Sequence, residues 1–422
     1  MLLRFRVENH RSIRQERALS MVALDDSPVA RHLPWGDLAV VPVAAIYGPN
    51  ASGKSNVLSA LAYMRDAVLG SYRLWDPDGG VSTEPFALGT AADSAESTYE
   101  VDIAFDGVRY QYGFCVNCDA VTQEWLYAYP GKRRQLWFER DATATEPFTF
   151  GRMLAGEKHS IAQLTRPNSL FLSAAAQNNQ QQLQPVHRWF SRQLHVLPDL
   201  SNPSASQDRE LLDRLLTPGA SGRVFDLLRF ADLGIEGAHV TEDDPPDASA
   251  RSRRSNALAP PAEGARPRQL HLLHASEAGN VPLPWTAESQ GTRVWARMIG
   301  PVLDALDTGR LLAVDELDAS LHPMLVSELL RMFQDPSINV RGAQLLCTTH
   351  DTTLLSPRLD WRLRRDQVWL TEKDEHGATD LYPLSDYKVR TEDNYERGYL
   401  LGRYGAIPFL DPSLLEAAAD GP

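Results

Sequence analysis

Cysteine is scarce in this sequence, with three residues in 422, at positions 115, 118 and 347. So few cysteines cannot build a disulfide framework, and they are typical of a protein of the reducing cytoplasm. Cys115 and Cys118 have the CxxC spacing of zinc ligands, but a zinc site takes four ligands and the chain has no second pair. We therefore interpret these two cysteines as incidental thiols in a strand.

Long apolar runs are missing as well. The first residues, Met1 to Arg6, lack the apolar stretch of a signal peptide, and no run approaches the ~20 residues that cross a bilayer. The sequence thus predicts a cytoplasmic protein without a membrane partner.

Positive charge is in deficit, since 42 Lys and Arg against 55 Asp and Glu give a net charge of −13. An acidic surface disfavours nonspecific binding of nucleic acid over the whole protein, although it is compatible with a local basic strip. Hydrophobic residues make up 43% and charged residues 23% of the chain. This composition excludes wholesale disorder and indicates one large globular domain or two to three smaller ones.

Short apolar runs alternate with helical stretches, which predicts an α/β fold with a parallel sheet. The almost continuous apolar run at 40–46 is typical of a buried strand, and a helical stretch follows at 55–69. The same alternation recurs later in the chain, with predicted helices at 292–306 and 321–333 and predicted strands at 311–314 and 344–348.

The region between these two parts has a different pattern. Alternating runs at 99–105 and 109–116 flank Asp106-Gly107, which is a strong hairpin signal, and 122–129 predicts a third strand. Residues 161–230 are mainly helical by pattern, and 242–267 is rich in Pro, Arg and Asp, which predicts a solvated linker.

A phosphate-binding loop is the clearest motif. Gly48 to Ser55 matches G-x-x-x-x-G-K-[ST], whose glycines let backbone N–H groups curl around an anion. Lys54 then places a cation near the β- and γ-phosphates, and the Ser55 hydroxyl can ligate Mg²⁺. The alternative is a glycine turn before a helix, but the buried strand before the loop favours the phosphate site. The predicted ATP-binding residues are Gly48, Pro49, Asn50, Ala51, Ser52, Gly53, Lys54, Ser55 and Asn56.

Two acids end the apolar strand at 311–314. Asp315 and Glu316 are costly at such a place unless they have partners, and Mg²⁺ is the obvious partner for Asp315. Glu316 would then polarise the attacking water. His350 follows the next predicted strand, 35 positions after Asp315, which leaves room for one helix and a neighbouring strand. We expect this histidine to reach the γ-phosphate as a sensor.

Together these residues resemble a known class. The phosphate loop, the run Asp315 to Pro323 and Thr349-His350-Asp351 are similar to ABC-type ATPase heads of the SMC, RecF and OLD class. Further motifs resemble the small RloA-like AAA/ABC ATPases of prokaryotes, from about Met1 to Leu410. These motifs are 9–12, 166–173, 288–292, 365–369 and 398–408.

The resemblance implies a head that dimerises around ATP. Ser289, Gly291 and Thr292 then resemble the signature that meets the γ-phosphate in trans, and Asp318 and Ser320 lie where the D-loop crosses the interface. The simpler interpretation of this signature is a helix cap, and both are compatible. The resemblance also implies that Arg11 contacts the nucleotide. It requires a Q-loop glutamine, for which Gln111 and Gln123 are the alternatives.

The implied architecture is a P-loop NTPase with an ABC-type ATPase head, a β-hairpin-rich first lobe and a mainly helical inserted second lobe. Its predicted segments are the N-terminal core (1–85), the β-rich lobe (86–160), the insertion with its linker (161–275), the C-terminal core (276–410) and a tail (411–422).

Three functions are compatible with these motifs. The first is a Mg²⁺-dependent ATPase switch that controls an operon-encoded effector, as in antiviral defence loci of such relatives. The second is a RecF-like ATPase that senses or repairs DNA, which the net charge and the lack of room for long coiled-coil arms disfavour. The third is a nucleotide-binding scaffold with negligible turnover, which has no need for Glu316.

Overall fold

The structure, a computed structural model, describes residues 1–24, 27–34, 38–89, 96–131, 133–197, 205–216, 221–231, 234–242, 268–277, 279–390 and 392–408. The tail predicted at 411–422 and all but the first residue of the linker predicted at 242–267 lie outside these ranges. The chain forms two compact units. Unit 1 contains Met1–Pro198, Asp304–Asp318 and Val326–Pro422, and unit 2 contains Asp199–Leu303 and Ala319–Leu325.

The strands of the described ranges are, in chain order, β1 (Leu2–Glu8), β2 (Arg17–Ser20), β3 (Arg31–His32), β4 (Ala39–Val40), β5 (Val43–Tyr47), β6 (Ser97–Phe105), β7 (Val108–Val116), β8 (Val121–Tyr129), β9 (Gln135–Asp141), β10 (Phe148–Phe150), β11 (Leu194–Leu197), β12 (Ile235–Glu242), β13 (Arg268–His274), β14 (Val281–Pro284), β15 (Leu311–Val314), β16 (Gln344–Thr348), β17 (Val368–Lys373) and β18 (Thr379–Pro383). The α-helices are α1 (Lys54–Gly70), α2 (His159–Leu164), α3 (Phe171–Gln177), α4 (Gln184–Arg188), α5 (Ala205–Leu216), α6 (Ser221–Ala231), α7 (Gln290–Thr308), α8 (Pro323–Gln334) and α9 (Tyr395–Leu400). Among these helices, none has the length and apolar character needed to cross a bilayer.

A six-stranded sheet forms the centre of unit 1, in the order β11-β15-β16-β5-β17-β18. All neighbours are parallel except β17 and β18. Strands β5, β15 and β16 are buried along their whole length, which explains their continuous apolar sequences. Because Val314 pairs with Cys347 and Thr348 pairs with Ile46, the carboxyl ends of these three strands lie side by side. The segments that follow them therefore meet at one edge of the sheet.

The predicted strand at 40–46 is divided in the structure. Residues Val41 and Pro42 separate β4 from β5, because Pro42 has no amide hydrogen to give to a neighbouring strand. The predicted helix after the loop is α1, whose buried residues include Val57, Leu61 and Met64. These side chains belong to the main hydrophobic core of unit 1.

A second sheet of unit 1 has seven antiparallel strands in the order β10-β9-β8-β7-β6-β1-β2. The predicted hairpin at 99–116 is confirmed as β6 and β7, joined at Asp106 and Gly107 with φ of 49° and 75°. Positive φ at both positions matches a type I′ turn. One face of this sheet contributes Phe5, Val101 and Phe114 to the main core.

The structure differs from the sequence-based segments within 161–275. Residues 161–197 belong to unit 1, since β11 pairs in parallel with β15 at the edge of the central sheet. Unit 2 contains α5 and α6, and also an antiparallel sheet of β12, β13 and β14. Strand β11 has four residues and is defined by its partner, so a helical pattern on either side conceals it in the sequence.

Candidate functional site

The loop at 48–53 connects β5 to α1, at the edge of the sheet where three strand ends meet. Gly53 caps α1 with φ of 103°, and Ala51 is also left-handed at 63°. Lys54 is 6% exposed, and its ammonium donates hydrogen bonds to the carbonyls of Gly48 at 2.9 Å and Pro49 at 3.1 Å. Burial lowers the pKa of Lys54, while Glu316, Asp315 and Asp318 act in the opposite direction. The loop thus folds around its own cation.

Asp315 is the point where the two motifs meet. The Ser55 hydroxyl donates to Asp315 Oδ1 at 3.0 Å, across 260 positions of sequence. The Thr348 hydroxyl donates to the same oxygen at 2.6 Å. A hydroxyl and a carboxylate are hard oxygen donors of the kind that Mg²⁺ prefers, so Ser55 and Asp315 fit this ion. In P-loop enzymes, substrate phosphates and water complete its coordination.

Thr348 is a site residue that sequence reasoning missed. Its hydroxyl also accepts a hydrogen bond from the Glu316 N–H at 2.7 Å, and its carbonyl accepts one from the Leu317 N–H at 2.9 Å. Glu316 has φ of 50°, so the chain turns sharply as it leaves β15. Thr348 therefore fixes both predicted acids. The signal for its role was its place at the end of the neighbouring strand, just before Thr349-His350.

His350 lies beside the predicted D-loop acid. The backbone N–H of His350 donates to the Asp318 carboxylate, at 3.1 Å to Oδ2, and the residue is exposed. Partial desolvation of the imidazole is the largest cause that lowers the pKa of His350, and the charge of Lys54 is the second. Asp318, Glu316 and Asp315 act in the opposite direction. The net shift of this pKa favours the neutral imidazole.

Arg11 follows β1 in a turn, with φ of 50°. Its guanidinium forms a forked ion pair with Glu84, which raises the pKa of Arg11 and lowers the pKa of Glu84. The next residue, Ser12, contacts the predicted ATP-binding residue Asn56, whose amide donates to the Ser12 hydroxyl at 2.5 Å. The turn thus lies against the first turn of α1, but the charge of Arg11 is engaged by a carboxylate that the sequence analysis did not single out.

The predicted signature lies in unit 2, at the start of α7. The Ser289 hydroxyl accepts a hydrogen bond from the Thr292 N–H at 3.0 Å, so this serine is a helix cap, as the simpler interpretation predicted. A Cβ on Gly291 would lie 2.8 Å from the carbonyl of Ser320. The absence of a side chain at 291 therefore lets Ser320, a predicted D-loop residue, approach the start of the helix closely.

The two Q-loop alternatives lie on the seven-stranded sheet. Gln111 donates to Glu100 at 2.8 Å and accepts from the Tyr129 hydroxyl at 2.7 Å, which uses both ends of its amide. Gln123 is exposed on β8. These contacts do not choose between them, and the Q-loop assignment stays a prediction.

Similarity to known proteins is found at the level of a domain family. Among curated proteins, none matches the chain. Among solved structures, the chain is similar to one described as "Crystal structure of the SmcHead bound to the C-winged helix domain of ScpA", with 12% identity, a TM-score of 0.41, and coverage of 90% of this chain and 97% of that chain. Residues 43–356 match the family model described as "AAA domain, putative AbiEii toxin, Type IV TA system". This stretch is most of the chain and includes Lys54, Asp315 and His350, and the chain therefore belongs to this family of AAA-domain P-loop proteins.

Proposed function

We propose that this protein binds Mg²⁺-ATP and hydrolyses it to ADP and phosphate. The contact between Ser55 and Asp315 at 3.0 Å carries the proposal, because it joins the phosphate loop to the acid at the end of β15. Membership in an AAA-domain family supports it.

The chain's own residues supply binding and positioning. Backbone N–H groups of the loop, the N-terminal end of α1 and Lys54 hold the phosphates. Ser55 and Asp315 hold Mg²⁺, which, when bound, neutralises charge on the β- and γ-phosphates. Arg11 contacts the same nucleotide once it leaves Glu84.

Glu316 is the general base for hydrolysis. Its carboxylate accepts the proton of the water that attacks the γ-phosphate. The neutral imidazole of His350 donates an N–H to the terminal phosphate and so responds to its presence. Thr348 keeps the two acids in place from behind.

ATP joins two copies of the chain in this proposal. Ser289, Gly291 and Thr292 of one copy meet the γ-phosphate held by the other, at the N-terminal end of the 19-residue helix α7. Asp318 and Ser320 lie at the same interface. The closed dimer holds or releases an effector protein encoded beside it, in antiviral defence, and the family's description as part of a toxin–antitoxin system is compatible with such a partner.

The light-scattering mass of purified Glu316→Gln, with and without Mg²⁺-ATP, tests this function. The variant should bind ATP and stall, so its mass should double only with ATP. The double variant Lys54→Ala/Glu316→Gln is the matched control and should stay a monomer. If ATP binds but the mass does not change, the roles in trans proposed for Ser289, Gly291 and Thr292 would be contradicted. Failure to bind ATP would remove the phosphate site, and hydrolysis stimulated by DNA with a steep salt dependence would favour the RecF-like alternative.

A further inference from the structure

We propose that Thr379, on β18, is a positioning residue for the phosphate loop. Its hydroxyl lies in a directed chain of hydrogen bonds that holds the loop from the flank of β17 and β18, across β5 from β15 and β16. The inference rests on the proposed nucleotide site, because a positioning role has meaning only if the loop binds phosphate.

The first half of this hydrogen-bond chain connects α1 to the loop through Thr379. The Thr379 hydroxyl donates its one hydrogen to the Ser52 carbonyl at 2.8 Å. In its contact with the Ser12 hydroxyl at 2.7 Å, Thr379 must therefore accept, and Ser12 donates. Ser12 in turn accepts from the Asn56 amide at 2.5 Å. Each hydroxyl thus gives one hydrogen and receives one.

The second half runs from the loop back to the central sheet. The Thr371 hydroxyl on β17 donates to the Tyr47 carbonyl at 3.2 Å. In the 2.7 Å contact between Ser52 and Thr371, Ser52 is consequently the donor. Ser52 is therefore fixed twice, by its carbonyl and by its hydroxyl.

The planar peptide between Ser52 and Gly53 couples the hydrogen bond of the Ser52 carbonyl to the orientation of the Gly53 N–H. In a trans peptide the C=O and the following N–H point in opposite directions. Because Thr379 holds the Ser52 carbonyl on one side, the Gly53 N–H points to the other side, into the curl of the loop. The same reasoning applies to the Tyr47 carbonyl and the Gly48 N–H. Without the threonine hydroxyls, each of these two carbonyls loses one hydrogen-bond donor.

Packing is tight where Thr379 meets the loop. Thr379 is 1% exposed, and Ser52 is 2% exposed. A Cβ on Gly53 would lie 2.1 Å from the Thr379 hydroxyl and 2.8 Å from the Ser12 hydroxyl. A buried donor or acceptor that loses its partner is costly, so the hydroxyl at 379 cannot be removed without disturbing Ser12 and Ser52.

Hydrogen exchange of the nucleotide-free full-length protein tests whether Thr379 holds the loop. Two amides report on the loop, Ser52 N–H to the Pro49 carbonyl at 3.2 Å and Asn56 N–H to the Gly53 carbonyl at 3.0 Å. Thr379→Val keeps the branched shape and removes the hydroxyl, and should accelerate exchange in peptides covering 48–56 by about 10-fold. Thr379→Ser restores the hydroxyl and should exchange like the wild type.

A matched control separates positioning from general stability. The Thr165 hydroxyl donates to the Ile161 carbonyl at 2.8 Å, at the end of α2, so Thr165→Val also loses one hydrogen bond. It should leave exchange at 48–56 unchanged. If Thr379→Val does not fold, Ser12→Ala interrupts the same chain one step earlier and should act in the same direction.

Affinity for Mg²⁺-ATP is the second readout. Thr379→Val should bind about 10-fold more weakly, while Thr379→Ser and Thr165→Val bind like the wild type. Wild-type exchange in Thr379→Val, or faster exchange with unchanged affinity, would overturn the positioning role. A wild-type protein that does not bind Mg²⁺-ATP would overturn the proposed function instead, and the exchange data would still decide whether Thr379 holds the loop.

Discussion

Thr348 illustrates how much one hydroxyl can do at the residue scale. It donates to Asp315 and accepts from the Glu316 amide, at 2.6 and 2.7 Å. Thr348→Val should therefore lower kcat by about 10-fold or more, since both acids lose a fixed partner, a loss of about 1.4 kcal/mol or more. Thr348→Ser should restore it. Steady-state hydrolysis and a melting curve for each variant check this, and equal activity of the valine variant would contradict it.

His10 makes stability depend on pH. Burial is the main cause that lowers its pKa from 6.5 to about 4, and its ring contacts the Tyr99 hydroxyl at 2.9 Å and the Ser59 hydroxyl at 3.2 Å. Between these two pKa values the unfolded chain binds more protons than the folded chain. The contribution of His10 to the free energy of unfolding therefore has its full value above pH 6.5 and decreases as the pH drops towards 4.

Denaturant titrations between pH 4 and 7 measure this effect. We expect the wild type to lose stability across this range at up to about 1.4 kcal/mol per pH unit from this residue. His10→Gln should be less stable at pH 7 and should lose less on acidification. A parallel pH slope in the two proteins would show that His10 does not carry the effect.

At the scale of elements, the packing of the loop against β18 requires a glycine at position 53. Gly53→Ala places a Cβ 2.1 Å from Thr379 in a backbone with φ of 103°. It should weaken Mg²⁺-ATP binding by about 10-fold or more and lower stability. Gly107→Ala is the matched control, since φ is 75° but nothing lies within 4 Å of the added carbon.

The control should cost about 1 kcal/mol of stability, which is the backbone penalty alone, and should not affect nucleotide binding. Isothermal titration and melting curves separate the two effects. Equal affinity in both variants would mean that the clash at 53 is relieved without moving the loop.

The start of α7 allows its two interpretations to be separated. Aspartate and asparagine both cap helices as well as serine does, so Ser289→Asp and Ser289→Asn should both keep the melting temperature. Only aspartate brings a negative charge, which would repel the γ-phosphate of the other copy. In the Glu316→Gln background, Ser289→Asp should therefore abolish the ATP-dependent dimer while Ser289→Asn keeps much of it. Equal dimers in both variants would leave Ser289 as a cap alone.

The sequence was most informative where chemistry and local pattern coincide. The runs of β5, β15 and β16 are apolar because both faces are buried, and the hairpin of β6 and β7 has its Asp-Gly turn. Lys54 and Asp315 belong to motifs whose residue types suit the proposed binding of phosphate and Mg²⁺. Thr379 and Glu84 were missed because a hydroxyl or a carboxylate carries no signal of its own, and their partners are 327 and 73 positions away.

For the whole molecule, net charge gives a prediction with a definite sign. Two copies of −13 repel each other, and bound nucleotide adds to this. Salt shortens the Debye length from about 30 Å at 0.01 M to about 10 Å at 0.1 M. We therefore expect the ATP-dependent dimer of Glu316→Gln to tighten as salt rises over this range, measured by sedimentation. A dimer that weakens with salt would indicate an interface dominated by opposite charges.

The hydrogen bond between Thr379 and Ser52 also has a consequence for the chain during synthesis, because the two residues are made at different times. Ser52 of the phosphate loop is synthesised before its partner, and Thr379 comes 327 residues later. At about 5–20 residues per second, a ribosome needs on the order of half a minute to make that interval. During this time the nascent chain carries a complete motif that lacks the partner shaping it. A chain cut short before Thr379 would stay in that condition, so we expect competence for ATP only after Thr379 has been synthesised.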